Sequence, residues 1–210
     1  MTPNPGPDGG VDPSRADAAG AADAAAPAPD PSETAAEAPY EPAAAVVRHL
    51  VAAAAAELAA AGARQEALAE YVAERRVLGI PRAARMTPVA SVWRLGVLLI
   101  DDGGGLHGTG RVVRAERAAR RSITAEAVAE QRALRAAAVK GGFAEGETVN
   151  FDTQPVDLGE LARDAASGPL VVRDGEVHVR WSPTQPDALA PFERYLAERV
   201  DLLAHPPERA

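Results

Sequence analysis

The stretch that decides the fold is Val92-Trp93-Arg94-Leu95-Gly96-Val97-Leu98-Leu99-Ile100, followed at once by Asp101-Asp102-Gly103-Gly104-Gly105. Apolar side chains occupy both alternating positions of the first run, which predicts a central β-strand covered on both faces. The second run consists of residues that favour turns. Residues 106–114 are therefore expected to return as the second strand of a hairpin.

A second hairpin is predicted towards the C-terminal end of the chain. Residues 170–173 and 176–181 flank Asp174-Gly175, a dipeptide typical of tight two-residue turns. In the second of these strands apolar and polar side chains alternate, so one face is expected to be buried and the other solvated. Residues 148–151 predict one further short strand.

Helices are predicted in the segments before, between and after these strands. The segments with helical spacing of apolar residues or with capping residues are 45–61, 64–76, 124–140, 157–166 and the stretch from Pro191 to about residue 205. The sequence therefore predicts a single α+β domain over residues 45–205. In this domain a small antiparallel sheet built from two hairpins is covered by four or five helices.

Residues 1–44 differ from the rest of the chain in composition. They contain nine of the eighteen prolines, eight acids and one base, Arg15, and Val11 is their only larger aliphatic residue. Such a segment buries too little apolar surface to offset the entropy of ordering, so a disordered acidic tail is predicted. Residues 206–210 are expected to form a short C-terminal tail.

The net charge of −8 conceals a basic middle segment between acidic flanks. Residues 75–140 carry thirteen bases against five acids. Two arginine clusters account for most of this excess: Arg111, Arg114, Arg117, Arg120 and Arg121 form one, and Arg75, Arg76, Arg82 and Arg85 form the other. Guanidinium groups bind phosphate and carboxylate through two N–H groups at once. The segment 111–121 is therefore predicted to bind an anion if its side chains converge.

Many catalytic chemistries lack the residues that they need. The absence of cysteine excludes disulfides, thiol nucleophiles and Cys-ligated metals. The four histidines lack metal-ligand spacing, so neither a metal nor a cofactor is predicted. Residues 103–108 fit the pattern G-x-G-x-x-G, but nucleotide binding by that motif needs a helix N-terminus after the loop. A strand is predicted there instead, so the glycines are interpreted as a hairpin turn.

The expected location is the cytoplasm. The N-terminus lacks the basic and apolar regions of a secretory signal peptide. The sequence also has no run of 18 apolar residues, so no membrane span is predicted. The overall acidity argues against nucleic acid as a partner. The expected partners are an anionic small molecule or an acidic protein.

Three segments resemble a small family of proteins from GC-rich bacteria, some of whose members carry the label glutaminase. These segments are 75–82 (RRVLGIPR), 93–100 (WRLGVLLI) and 133–150 (ALRAAAVKGGFAEGETVN), and the resemblance covers about residues 64–203. It implies amide hydrolysis as an activity. Serine-type glutaminases use a Ser-x-x-Lys pair and amidotransferase types use cysteine, and neither arrangement is present here. The serines left as candidates, each with a histidine, are Ser91, Ser122, Ser167 and Ser182.

The leading hypothesis is a non-catalytic binding module for an anionic ligand or a protein partner. It depends on the basic middle segment and on the lack of a complete catalytic motif in the sequence. Two alternatives remain open. One is an amide hydrolase of the glutaminase type, and the other is a structural interaction protein that acts through its acidic tail.

Overall fold

The computed structural model describes residues 38–77, 80–117, 126–182, 184–185 and 187–207. This part of the chain contains four helices: α1 (Glu41–Ala60), α2 (Glu126–Lys140), α3 (Leu158–Asp164) and α4 (Phe192–Ala204). Its strands are β1 (Glu66–Val72), β2 (Arg75–Val77), β3 (Ile80–Arg82), β4 (Arg85–Leu95), β5 (Leu98–Asp101), β6 (Leu106–Gly108), β7 (Arg111–Arg114), β8 (Thr148–Phe151), β9 (Gln154–Pro155), β10 (Ala166–Ser167), β11 (Leu170–Arg173), β12 (Glu176–Arg180) and β13 (Leu189–Pro191). The predicted α+β class is confirmed.

The strands form a large sheet and two smaller ones. The large sheet has seven strands in the order β7-β8-β1-β4-β5-β6-β9, and its pairs are antiparallel except for the parallel pair β1–β8. The second sheet has four strands in the order β10-β11-β12-β13, and β2 and β3 pair only with each other. The two predicted hairpins thus lie in separate sheets rather than in one, and β1 and β7–β9 extend the large sheet with strands from distant parts of the chain.

The predicted helix over residues 64–76 is wrong. This segment forms β1 and begins β2, and β1 pairs with β4 on one side and with β8 on the other. Ala67 and Ala69 are buried on one face of the sheet, and Leu68 is buried on the opposite face. A short strand covered on both faces has a continuous apolar pattern that periodicity alone does not distinguish from a helix.

The predicted single strand over residues 92–100 is also wrong. It consists of the end of β4 and the whole of β5, joined by a two-residue turn at Gly96 and Val97. Gly96 has a φ of +69°, which glycine adopts readily. A Cβ atom there would also overlap the hydroxyl of Tyr195, which accepts a hydrogen bond from the backbone N–H of Val97.

The predicted strand over residues 106–114 is divided in two. Leu106–Gly108 pairs with β5, as the hairpin prediction requires, but Arg111–Arg114 crosses to the other edge of the sheet and pairs with β8. The close approach of Gly110 to the backbone of Asp152 leaves no room for a Cβ atom at this crossing. The hairpin around Asp174 and Gly175 is confirmed, with register pairs from Leu170↔Val179 to Arg173↔Glu176.

Two apolar layers cover one face of the large sheet. The larger layer joins α1, α4 and the four-stranded sheet to Trp93, Leu95, Leu98 and Ile100. The smaller layer packs α2 against β4 and β7 and includes buried side chains of β1 and β8. By length and composition alone α1 could cross a membrane. Its apolar stripe, however, lies in the larger core layer, where Val47 and Leu58 are fully buried.

A β-bulge interrupts the β1–β4 pair before the chain reaches the β2–β3 hairpin. The register shifts between Leu68 and Ala69, opposite Pro88, which cannot donate a ladder hydrogen bond. Beyond this bulge the pair continues to its last members, Val72 and Arg85. The chain between them, residues 73–84, leaves the sheet and returns through the β2–β3 hairpin. Residues 73–85 are called the basic arm below.

Candidate functional site

The structure places the described arginines of segment 111–121 on opposite faces of the sheet. Side chains alternate along β7, and Val113 is buried beneath α2. Arg111 shares that face with Val113, whereas Arg114 lies on the opposite face. Arg117 follows the end of β7, and Arg120 and Arg121 lie outside the described residues. The predicted convergence is therefore not seen for Arg111 and Arg114.

Each of these three described arginines also has a partner within the protein. Arg111 Nη2 lies 2.8 Å from Glu130 Oε1 on α2, and the guanidinium carbon lies 5.2 Å from the ring centroid of Phe151. Arg114 Nε donates a hydrogen bond of 2.9 Å to the carbonyl oxygen of Gly146.

Arg117 Nε lies 3.7 Å from a carboxylate oxygen of Glu145. Of the three described arginines in the segment 111–121, Arg111 and Arg117 are thus paired with acids, and Arg114 is hydrogen bonded to a backbone carbonyl.

The basic arm has a different arrangement. Arg75 and Arg82 lie directly opposite each other in the β2–β3 pair, and Arg85 begins β4 at the base of the arm. These three side chains line one cavity of about 250 Å³, together with Val72, Ala73 and Ala83. The cavity therefore lies where the long β1–β4 ladder ends and the arm begins.

The charges of the arm are not balanced within the described residues. In that part of the chain no carboxylate lies within 4 Å of the guanidinium nitrogens of Arg75, Arg76, Arg82 or Arg85. Glu74 is the only acid of the arm. Like charges directly opposite each other destabilise a strand pair. An anion placed between Arg75 and Arg82 would remove that repulsion.

A histidine and an aspartate meet on the other face of the large sheet. His107 Nε2 lies 3.0 Å from Asp101 Oδ2, and the backbone N–H of Gly105 donates to Asp101 Oδ1 at 2.7 Å. Burial by itself raises the pKa of Asp101, but the hydrogen bonds from His107 and Gly105 and the attraction to His107 outweigh it. The net pKa of Asp101 is therefore lowered.

This pair stabilises the β5–β6 turn. His107 Nδ1 is buried and makes no hydrogen bond with the described residues. The glycines of the turn wrap the carboxylate closely, because a Cβ atom at Gly105 would overlap Asp101. The pattern G-x-G-x-x-G is thus explained by a carboxylate held within a turn.

A second polar network crosses the same face of the sheet. Arg94 Nη1 donates to Asn150 Oδ1, and Asn150 Nδ2 donates to Glu66 Oε2 at 2.8 Å and to the carbonyl oxygen of Ala67 at 3.2 Å. Arg94 belongs to β4 and Asn150 to β8, so the hydrogen bond passes over β1. The buried amide of Asn150 thus joins a positive and a negative side chain and holds three strands together.

The described serines that were candidates for amide hydrolysis have different surroundings. Ser167 is buried, donates to Glu160 Oε2 at 2.7 Å and accepts from the backbone N–H of Asp157. Ser182 contacts Thr184, and Ser122 lies outside the described residues. Ser91 lines a small cavity beside Glu66. Within the described ranges no serine is hydrogen bonded to a histidine, and the activity stays a prediction.

In the described part of the chain, no group of three or more His, Asp or Glu side chains is arranged to hold a metal ion. Comparison of the chain with protein-family models, with curated proteins and with solved structures finds no match.

The importance of the arm was only partly visible in the sequence. Its arginines stood out as the second basic cluster, but Arg75 and Arg76 were predicted to lie at the end of the helix over residues 64–76, with no strand partner for Arg75. No local sequence pattern predicts the strand pairing Arg75↔Arg82. This pairing places the two charges opposite each other.

Proposed function

We propose that the protein binds an anionic ligand at the basic arm, through Arg75, Arg82 and Arg85, and does not catalyse a reaction. The observation that carries this proposal is that three arginines line one cavity, with no carboxylate of the described residues within ion-pair distance of them. Several other exposed arginines also lack an acidic partner. The arm differs from them because three of its arginines share a cavity.

The chemistry of the cavity favours a phosphate or carboxylate group. Guanidinium groups form paired, charge-assisted hydrogen bonds with the oxygens of both anions. Typical pockets for drug-sized ligands enclose about 300–1,000 Å³, and the cavity of about 250 Å³ lies just below that range. It suits one anionic group or a small phosphorylated or carboxylated compound, with the rest of a larger ligand in solvent.

The proposal keeps the hypothesis of an anion-binding module but moves its site. The partners of Arg111 and Arg117 favour the arm over the segment 111–121, because a ligand there would have to displace Glu130 and Glu145. A cytoplasmic location, where phosphorylated and carboxylated metabolites are abundant, remains the expectation from the sequence.

Calorimetric titration of the full chain with pyrophosphate at low ionic strength tests this proposal. We expect saturable binding that weakens as salt is added, because the contacts are electrostatic and exposed. The triple variant R75Q/R82Q/R85Q should bind at least about tenfold more weakly, since each hydrogen bond to a charged group contributes about 1.5–3 kcal/mol.

The matched control is the triple variant R111Q/R114Q/R117Q. It removes the same net charge from the other basic cluster, so it corrects for long-range electrostatics. We expect its pyrophosphate affinity to lie within about twofold of the unmodified chain at moderate salt. Equal losses in the two variants, or no binding in any of the three proteins, would overturn the proposal.

A further inference from the structure

We infer that the acidic N-terminal segment, residues 1–37, occupies the basic arm and competes there with external anions. The inference rests on the proposed function, because it concerns the same arginines. It begins with the distribution of charge along the chain. Residues 1–37 contain one base, Arg15, and seven acids: Asp8, Asp12, Asp17, Asp23, Asp30, Glu33 and Glu37.

The spacing of these acids suits contact with a basic surface elsewhere in the protein. They follow one another at intervals of three to seven residues, separated mostly by alanine, proline and glycine. The segment offers them almost no positive charge of its own. Their attraction is therefore available to arginines of the folded part.

Within the described residues, the arm is the place where three arginines line one cavity without a carboxylate within ion-pair distance. Arg111, Arg117 and Arg135 each lie within 4 Å of a carboxylate. Arg75, Arg82 and Arg85 share a cavity with none. The arm thus carries the positive charge that the acids of residues 1–37 lack within their own segment.

The length of the segment allows the contact wherever the arm lies on the surface. The described chain starts at Ala38, and the backbone N–H of Tyr40 donates to the carbonyl oxygen of Ala162, which fixes the entry to α1. Thirty-seven residues span at most about 120 Å, whereas a domain of this size is about 40 Å across. A tethered segment acts at an effective concentration in the millimolar range, comparable to that of a weak anionic ligand.

The consequence is an internal competitor for the ligand. In the unmodified chain, an external anion has to displace carboxylates of residues 1–37 before it reaches the arm. The measured affinity is therefore lower than the intrinsic affinity of the three arginines. A ligand of higher charge density than a carboxylate, such as a phosphate dianion, displaces the segment more readily than a monocarboxylate does.

The test uses the full chain with the seven acids of residues 1–37 changed to Asn or Gln. We expect this variant to bind pyrophosphate at least about threefold more tightly than the unmodified chain at low salt, because an internal competitor at millimolar effective concentration has been removed. The difference should disappear near 0.5 M salt, where the Debye length falls to a few ångströms.

A charge-matched control separates this effect from the change in net charge. The control neutralises seven acids of the folded part whose carboxylates make no hydrogen bond or ion pair among the described residues: Glu57, Asp102, Asp164, Asp174, Glu176, Asp187 and Glu193. An equal gain in affinity in both variants overturns the inference and leaves the proposed function standing. A gain confined to the N-terminal variant supports it.

The side-chain Nε–H NMR signals of the arginines give a second measurement that needs no added ligand. We expect the signals of Arg75, Arg82 and Arg85 to shift when residues 1–37 are neutralised, while the signal of Arg111 stays in place. If none of the proteins binds pyrophosphate, the proposed function fails. If the Nε–H signals of Arg75, Arg82 and Arg85 also stay unchanged, the contact with residues 1–37 is overturned as well.

Discussion

Two arginine-rich stretches of this protein look alike in sequence and differ in structure. The segment 111–117 lies at one edge of the large sheet, where Glu130 and Glu145 meet its guanidinium groups. The basic arm leaves the end of the β1–β4 ladder, and three of its arginines line one cavity without a carboxylate from the described residues. The first stretch has two of its three charges paired with carboxylates, and the second has more available positive charge.

The difference teaches that the number of charges in a segment does not determine what they bind. The acids that neutralise Arg111 and Arg117 come from later parts of the chain, nineteen residues or more away. Only the packing of α2 against β7 brings Glu130 to Arg111. Paired charges contribute to stability, whereas unpaired convergent charges are left for a ligand. Three sets of substitutions test this contrast, and they are ordered by the size of the expected effect.

The substitution G141A should cause the largest loss. Gly141 follows α2, and a Cβ atom there would overlap the backbone carbonyl of Met86. The helix that carries Glu130 would have to shift, so we expect the free energy of unfolding to fall by about 3 kcal/mol. Urea denaturation measures this change.

G159A on α3 is the matched control for G141A. Its new Cβ atom would meet the flexible end of Arg163 and a carboxylate oxygen of Asp157, each at 3.2 Å, rather than backbone. We expect a change of less than about 1 kcal/mol. If G141A were as stable as the unmodified chain, α2 would not be held in the position that neutralises Arg111.

The substitution D101N tests a charge that the fold satisfies internally. It replaces the carboxylate that accepts from His107 and Gly105 by an amide, and we expect a loss of about 1.5 kcal/mol at pH 7. Because folding lowers the pKa of Asp101, its contribution is complete above the pKa of the unfolded carboxyl, about 3.9. It is lost as the pH falls through the folded pKa.

The stability difference between the unmodified chain and D101N should therefore shrink below about pH 4. Thermal unfolding between pH 7 and pH 2.5 measures this difference. A constant gap over the whole range would show that the carboxylate is not stabilised by its partners in the folded state.

The comparison of R111A with R75A should give the smallest effect and address the contrast most directly. R111A removes an exposed ion pair with Glu130 and a contact with Phe151, so we expect a loss of about 1 kcal/mol. R75A removes one of two like charges that face each other, so its stability should stay within about 0.5 kcal/mol or rise. Urea midpoints at equal m-values decide between them. A greater loss in R75A would mean that the arm has partners of its own.

Several elements could be predicted from the sequence because their signals are local. The turn at Asp174 and Gly175 needs only two residues, and both have a positive φ in the structure. The stripe of α1 and the cap of α3, where Asp157 accepts from the backbone N–H groups of Gly159 and Glu160, are local in the same way. These elements were placed within a few residues of their observed bounds.

The errors arose where distant pairing overrides local preference. Residues 64–76 have a pattern that suits a helix, but β4 and β8 flank β1 and satisfy its backbone on both sides. The turn at Gly96 was hidden in a continuous apolar run. Tyr195, about a hundred residues later, meets this turn through hydrogen bonds to Val97 and Leu95. The candidate site moved for the same reason, because strand register decides which arginines face each other.

The sequence by itself determined the class of the fold, the acidic N-terminal composition, the two arginine clusters and the lack of cysteine chemistry. These properties depend on composition and on contacts between near neighbours in the chain. Only the tertiary structure decided which arginines are neutralised and which converge. The reason is that electrostatic interactions depend on distance in space, and the acids and strands that set those distances come from remote parts of the chain.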